Sequence, residues 1–185
     1  MKNLWIIGGL LLASQTWANQ LDISPTEKLD IAVLPGWLFK VASDPDDMFR
    51  PSMKLSHFDS AGVIDLSVKF FLNKDDQYVS MAGDKAKEDF VDVDCEHLKD
   101  GSREQRVTIK KYNHGDSVYY CSFTDATMAD GEKTSPGEFR NQTVAFLTYH
   151  DFGFNAQIMS NGTDSGLFSD ALKMLSTITV KTAGK

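Results

Sequence analysis

Residues 62–72 read Gly-Val-Ile-Asp-Leu-Ser-Val-Lys-Phe-Phe-Leu, with Ile64, Leu66, Val68, Phe70 and Leu72 at every second position and Asp65, Ser67 and Lys69 between them. A period of two places the first set on one face of a β-strand and the second on the other. Such a strand presents an apolar face that another layer has to cover. The cover is found near the other end of the chain. From Asp164 or Ser165 onward, Leu167, Phe168, Ala171, Leu172, Met174 and Leu175 recur at helical spacing, so a C-terminal helix is expected to lie on the sheet.

The segments between these two elements read mostly as antiparallel hairpins. Residues 105–112 and 117–124 flank Asn113-His114-Gly115-Asp116, a turn composition bounded by β-branched and aromatic residues. Val144, Phe146 and Thr148 lead through His150-Asp151 into Phe152, Phe154, Ala156 and Ile158, a second hairpin. Toward the N-terminus, Leu29, Ile31 and Val33 alternate up to Pro35-Gly36, and Trp37, Phe39 and Val41 alternate after it, which predicts a hairpin about that turn. Polar residues at 44–47 and the Gly, Asp, Ser and Pro of 125–141 predict surface loops, the latter a long one. Thr177–Val180 reads as a closing strand. The stretch 84–97 has two readings: Asp84 can cap a helix running to Phe90, while Val91, Val93 and Cys95 alternate as in a strand. The expected fold is therefore α+β, an antiparallel β-sheet sandwich with packed helices, including one C-terminal helix.

The opening Ile31-Ala32-Val33-Leu34-Pro35-Gly36-Trp37, the central hairpins, and an ending in which helix 165–176 runs into Ser176-Thr177-Ile178 resemble the Mog1/PsbP-like proteins over most of residues 29–180. Proteins of that fold mostly bind other proteins, so the resemblance implies a non-enzymatic binder. It carries no catalytic residues with it, and fold analogy does not name a partner.

The first eighteen residues hold one charge, Lys2, then an apolar run Leu4–Ala13 and the small-residue exit Thr16-Trp17-Ala18. This is the order of a secretion signal cleaved after Ala18, and the run is about half of the roughly 20 residues that span a bilayer. A periplasmic protein is expected, with residues 19–28 a mobile entry segment, a single domain over 29–181 and a tail at 182–185. Losing Lys2 takes the formal charge from −7 to −8, a balance unsuited to nucleic-acid phosphates and to anionic membrane surfaces. Two cysteines in an exported chain, Cys95 and Cys121, read as one structural disulfide.

Nucleophile-elbow, zinc-protease and phosphate-loop patterns do not occur. His57, His97, His114 and His150 stand on separate segments, and His150 beside Asp151 is the one placed to sense pH. Trp37, Phe39, Phe70, Phe71, Phe152 and Phe154 suit a core, and also the wall of an apolar cavity. The sequons at Asn141 and Asn161 matter only in a eukaryotic secretory route. Asp84, Glu88, Asp89, Asp92, Asp94 and Glu96 form the densest acidic stretch. As a strand it would align Asp92, Asp94 and Glu96 for a basic protein, or for Ca²⁺, although no calcium-loop motif is present. The expectation is a soluble protein-binding module without cofactor or metal, for example an immunity or inhibitor protein against an envelope-directed toxin or hydrolase. Its contacts are placed on 84–96 and on the 125–141 loop. A carrier of a lipid or small apolar molecule and an unrecognised hydrolase are the alternatives.

Overall fold

The computed structural model describes residues 18–42, 52–58, 62–70, 84–112, 118–129, 134–135, 137–149, 152–162 and 166–182. In chain order these form β1 (Ala18–Ser24), β2 (Glu27–Ala32), β3 (Trp37–Ala42), β4 (Ser52–His57), β5 (Gly62–Phe70), α1 (Asp84–Lys99), β6 (Lys110–Tyr112), β7 (Val118–Thr124), β8 (Asn141–Tyr149), β9 (Phe152–Ser160), α2 (Gly166–Leu175) and β10 (Thr179–Thr182). Among them, β3-β4-β5-β9-β8-β7-β6 make an antiparallel seven-stranded sheet, and β1-β2-β10 a three-stranded one. No helix among the described residues is long and apolar enough to cross a membrane.

The large sheet serves two cores, one on each face. On the inner face, Met53, Leu55, Ile64, Val118, Ala145, Leu147, Phe154, Ala156 and Ile158 pack against Leu21, Ile23, Leu29 and Ile31 of the small sheet and the buried stripe of α2. That stripe is Phe168, Ala171, Leu172, Met174 and Leu175, the helical spacing expected from the sequence. On the outer face, Tyr119, Cys121, Phe123, Val144 and Phe146 meet Val91 and Cys95 of α1. The result is an α+β sandwich with α2 and the small sheet on one side, and α1 on the other over β7 and β8.

The stretch 84–97 is helical through its length. Val91 and Cys95 are buried and Leu98 is partly so, at i, i+4 and i+7, whereas Val93 is 66% exposed. A strand would have buried Val93 with its neighbours, so the apparent alternation of 91, 93 and 95 was a coincidence of composition. The hairpin expected about Pro35-Gly36 does not form. The turn exists, but β2 pairs with β1 and β10 while β3 pairs with β4, so the chain passes there from one sheet to the other. Residues 19–24, expected to be a mobile entry, form most of β1, because Leu21 and Ile23 alternate with Asp22 and Ser24 against β2. The turns at 113–116 and 150–151, the polar loop 44–47 and residues 1–17 lie outside the described residues.

Candidate partner-binding surface

The Pro-Gly turn that ends β2 sets the geometry at one margin of the large sheet. The Trp37 amide donates to the Leu34 carbonyl at 3.2 Å, and Gly36 sits at φ +89°, the arrangement of a type II turn with proline second and glycine third. The Leu34 amide points at the Met174 sulfur, and the Ala32 amide donates to the Thr177 hydroxyl, which ties the turn to α2. A side chain at position 36 would meet His57 Nε2 at 2.9 Å and the Phe58 ring at 3.2 Å. The glycine thus lets the end of β4 come close, and the Phe58 amide donates to the Gly36 carbonyl at 3.0 Å. Trp37 packs edge-on to His57 and across Gly62, while the His57 ring lies 4.6 Å from that of Phe58.

This packing leaves two large apolar side chains in water, Leu38 at 62% and Phe58 at 70% exposure. They border an open trough of about 430 Å³ whose walls include Val63, Met159 and Phe139, with Lys54 and His57 as its charged or titratable members. Its floor is one transverse row of the outer face, because Leu38, Ser56, Val63, Met159 and Gln142 lie side by side in register. A second hollow of about 200 Å³ shares Phe139 and continues the same row to Phe123, below the end of α1. Gly137 at φ +87°, Phe139 and Arg140 come from the 125–141 segment, which therefore borders both hollows.

The walls of the second hollow are knitted by hydrogen bonds. The Thr124 amide and hydroxyl both donate to Glu104, the Arg103 amide donates to the Thr124 carbonyl, and the Asp125 amide to the Arg140 carbonyl. Burial pushes the Glu104 carboxyl up, but hydrogen bonds from the Thr124 amide and hydroxyl, with those from its own amide and Ser102, together hold the group below its ordinary value. Asp125 is held down in the same direction by the Thr127 hydroxyl and amide.

The acidic stretch divides around α1. Glu88, Asp92 and Glu96 stand four apart on its exposed side, and Glu96 pairs with Lys99. Asp94 turns to the sheet and accepts a hydrogen bond from Asn155 at 2.8 Å. Asp84 and Asp89 belong to the same helix, their side chains lying outside the described set. The shared face of Asp92, Asp94 and Glu96 expected from a strand does not exist, and no group of metal-ligating side chains is found among the described residues. Cys95 and Cys121 are bonded, their Cα atoms 6.2 Å apart, which staples the inner side of α1 to β7. No family model, curated protein or solved structure matches this chain.

His57 belongs to the trough, His97 lies at the second hollow, and His114 and His150 fall outside the described residues. Trp37 and Phe154 are buried in the main core and Phe39 packs against it. The side chains of Phe70, Phe71 and Phe152 are not among those described. Sequence reasoning missed Leu38 and Phe58. The clue to Leu38 was available, since Trp37-Leu38-Phe39 is apolar on both faces of a strand, where a one-sided strand would have a polar residue in the middle. Phe58 carries no periodic signal, because it stands one residue past β4.

Proposed function

We propose that this chain is an exported, non-enzymatic protein-binding module that engages its partner along the trough beside β3 and β4. The observation that carries this reading is the adjacent exposure of Leu38 and Phe58 on an otherwise acidic protein. Covering a side chain of this kind contributes about 1.5–3 kcal/mol, so together they offer a large part of the roughly 8 kcal/mol behind a micromolar affinity. The open form of the trough favours a polypeptide over a small molecule, whose sites enclose most of the ligand surface. The disulfide and the N-terminal sequence support an oxidising compartment outside the cytoplasm. The resemblance to Mog1/PsbP-like proteins supports binding over catalysis, and an immunity or inhibitor protein is the concrete form of the proposal.

The test is capture from periplasmic and secreted fractions by the tagged protein, run beside Leu38→Asp and Phe58→Asp. One stoichiometric protein, retained by the wild type and lost by both variants, supports the proposal. Equal retention by all three removes the trough as the contact, and a co-purified lipid without a protein shifts the function to a carrier. A second reading places a basic partner on the exposed side of α1, favoured by the stripe Glu88, Asp92 and Glu96. Reversal of Glu88 and Asp92 to lysine abolishes capture if that surface is the contact.

A further inference from the structure

We infer that β3 takes up an extended segment of the partner as an added strand, and that this segment carries a carboxylate opposite Lys40 and an apolar side chain opposite Leu38. The inference rests on the surface proposed above and names its occupant. Among the described residues the two sheets present four edges, and three of them are guarded. β6 has three residues and exposes Lys110 and Lys111; β10 has four and ends in exposed Lys181 and Thr182; β1 is broken by a register shift between Asp22 and Ser24. Short length, lysines and bulges are the devices that stop edges from pairing. β3 runs six residues in unbroken register with β4, contains no proline, and exposes Leu38 at 62% and Val41 at 42%.

Its hydrogen-bonding direction follows from its neighbours. Phe58 donates to Gly36, and the Trp37 amide is taken by Leu34, so Trp37 and His57 are a non-bonded pair. Pairs alternate along an antiparallel ladder, which makes Leu38–Ser56 and Lys40–Lys54 the bonded ones. The N–H and C=O of Phe39 and Val41 therefore point away from β4, to the side where the described sheet ends.

Charge selects the occupant. Across the sheet, Lys40 stands opposite Lys54, and Lys54 stands opposite Asp65 on β5. Like charges directly opposite are unfavourable, and a carboxylate on the far side of Lys40 would give it an opposite charge across the strand, as Lys54 has in Asp65. On that side Lys40 forms a non-bonded pair, in which side chains approach most closely, at a Cα spacing of about 4.5 Å. A second copy of this chain is a poor occupant. The antiparallel register that uses Phe39 and Val41 of both copies sets Lys40 against Lys40. An antiparallel partner strand thus reads acidic, any residue, apolar.

The test uses the capped peptide Thr-Val-Glu-Val-Leu-Thr, its Glu-to-Lys counterpart, and two N-methylated forms, with binding measured by calorimetry. The Glu peptide is expected to bind about tenfold or more tighter than the Lys peptide, with the order inverted by Lys40→Glu. Methylation of the two valine nitrogens, which face Phe39 and Val41, abolishes binding, and methylation of the Glu nitrogen leaves it. Val41→Pro removes one outward N–H while sparing the β4 ladder, and lowers affinity by about tenfold. Equal affinity for the Glu and Lys peptides, indifference to the site of methylation, or no binding of either peptide up to about 1 mM overturns the inference. In the capture assay, loss in Leu38→Asp and Phe58→Asp with full retention in Val41→Pro refutes strand addition and leaves the surface standing. Retention in all three refutes the surface itself.

Discussion

Replacing both Cys95 and Cys121 by alanine tests whether the staple between α1 and β7 is an energetic necessity for the outer core. The bridge closes a sequence separation of 26, for which the chain-entropy relation gives about 3.5 kcal/mol at 25 °C. Both cysteines are fully buried, so alanine avoids placing an unpaired hydroxyl there. At about 2–4 °C per kcal/mol for a domain of this size, the thermal midpoint should fall by about 7–14 °C. The loss should also be uneven. Without the bridge, the described side chains that hold α1 are Val91 and Leu98 over β7 and β8 and Asp94, hydrogen-bonded to Asn155 of β9, whereas the inner core has the small sheet and α2 behind it. Urea unfolding followed by fluorescence and by circular dichroism reads the global term, and hydrogen exchange of the α1 amides against those of β5 and β9 reads the local one. Wild-type protein treated with reductant should match the double variant. A loss below about 1 kcal/mol with unchanged exchange in α1 would refute the argument, since the bridge would then join groups that packing already holds.

Gly36→Ala meets both a left-handed backbone and atoms at 2.9–3.2 Å, and should cost about 2 kcal/mol or more in denaturant titration. Gly137→Ala, with the same sign of φ but open space around it, should cost only about 1 kcal/mol. Lys181→Met leaves the Asp30 carboxylate, 5% exposed and paired with Lys181, without its cation, and should lower stability by about 1–3 kcal/mol at neutral pH while Asp30→Asn/Lys181→Met recovers part of the loss. The lowered Glu104 and Asp125 carboxyls contribute stability that is present above their unfolded values and disappears as pH falls through the folded ones. Unfolding midpoints of wild type and Glu104→Gln should therefore differ modestly at neutral pH and converge as pH falls below the ordinary carboxylate range.

Elements with long, clean periodicity were legible from the residues alone. The alternation from Ile64 predicted β5 and the helical stripe from Phe168 to Leu175 predicted α2, and both elements form there. Pairing partners were harder to read. Leu29 and Ile31 show an alternating face, but nothing local tells that their neighbours are Leu21 and, from the far end of the chain, Val180. β4 offers only Met53 and Leu55 as its period, too short to separate from loop. In α1, the buried positions among the described side chains are Val91 and Cys95, with Leu98 partly buried, too sparse a stripe to keep the residues around Cys95 from being taken for a strand. The trough was only partly legible: Trp37-Leu38-Phe39 hints at an apolar outward residue at 38, while Phe58, one residue past β4, carries no periodic signal.

The small sheet has a temporal side. β2 lies between β1, which precedes it immediately, and β10, whose neighbourhood reaches it from afar, as in the Ala32–Thr177 hydrogen bond across 145 positions. A chain emerging N-terminus first can zip β1 to β2 within microseconds, yet it keeps the second rim of β2 bare until residues 179–182 arrive. Completion of the sandwich waits on its most distant contact, and such contacts carry the largest loop-closure penalty. The fold is in this sense a clasp that shuts last.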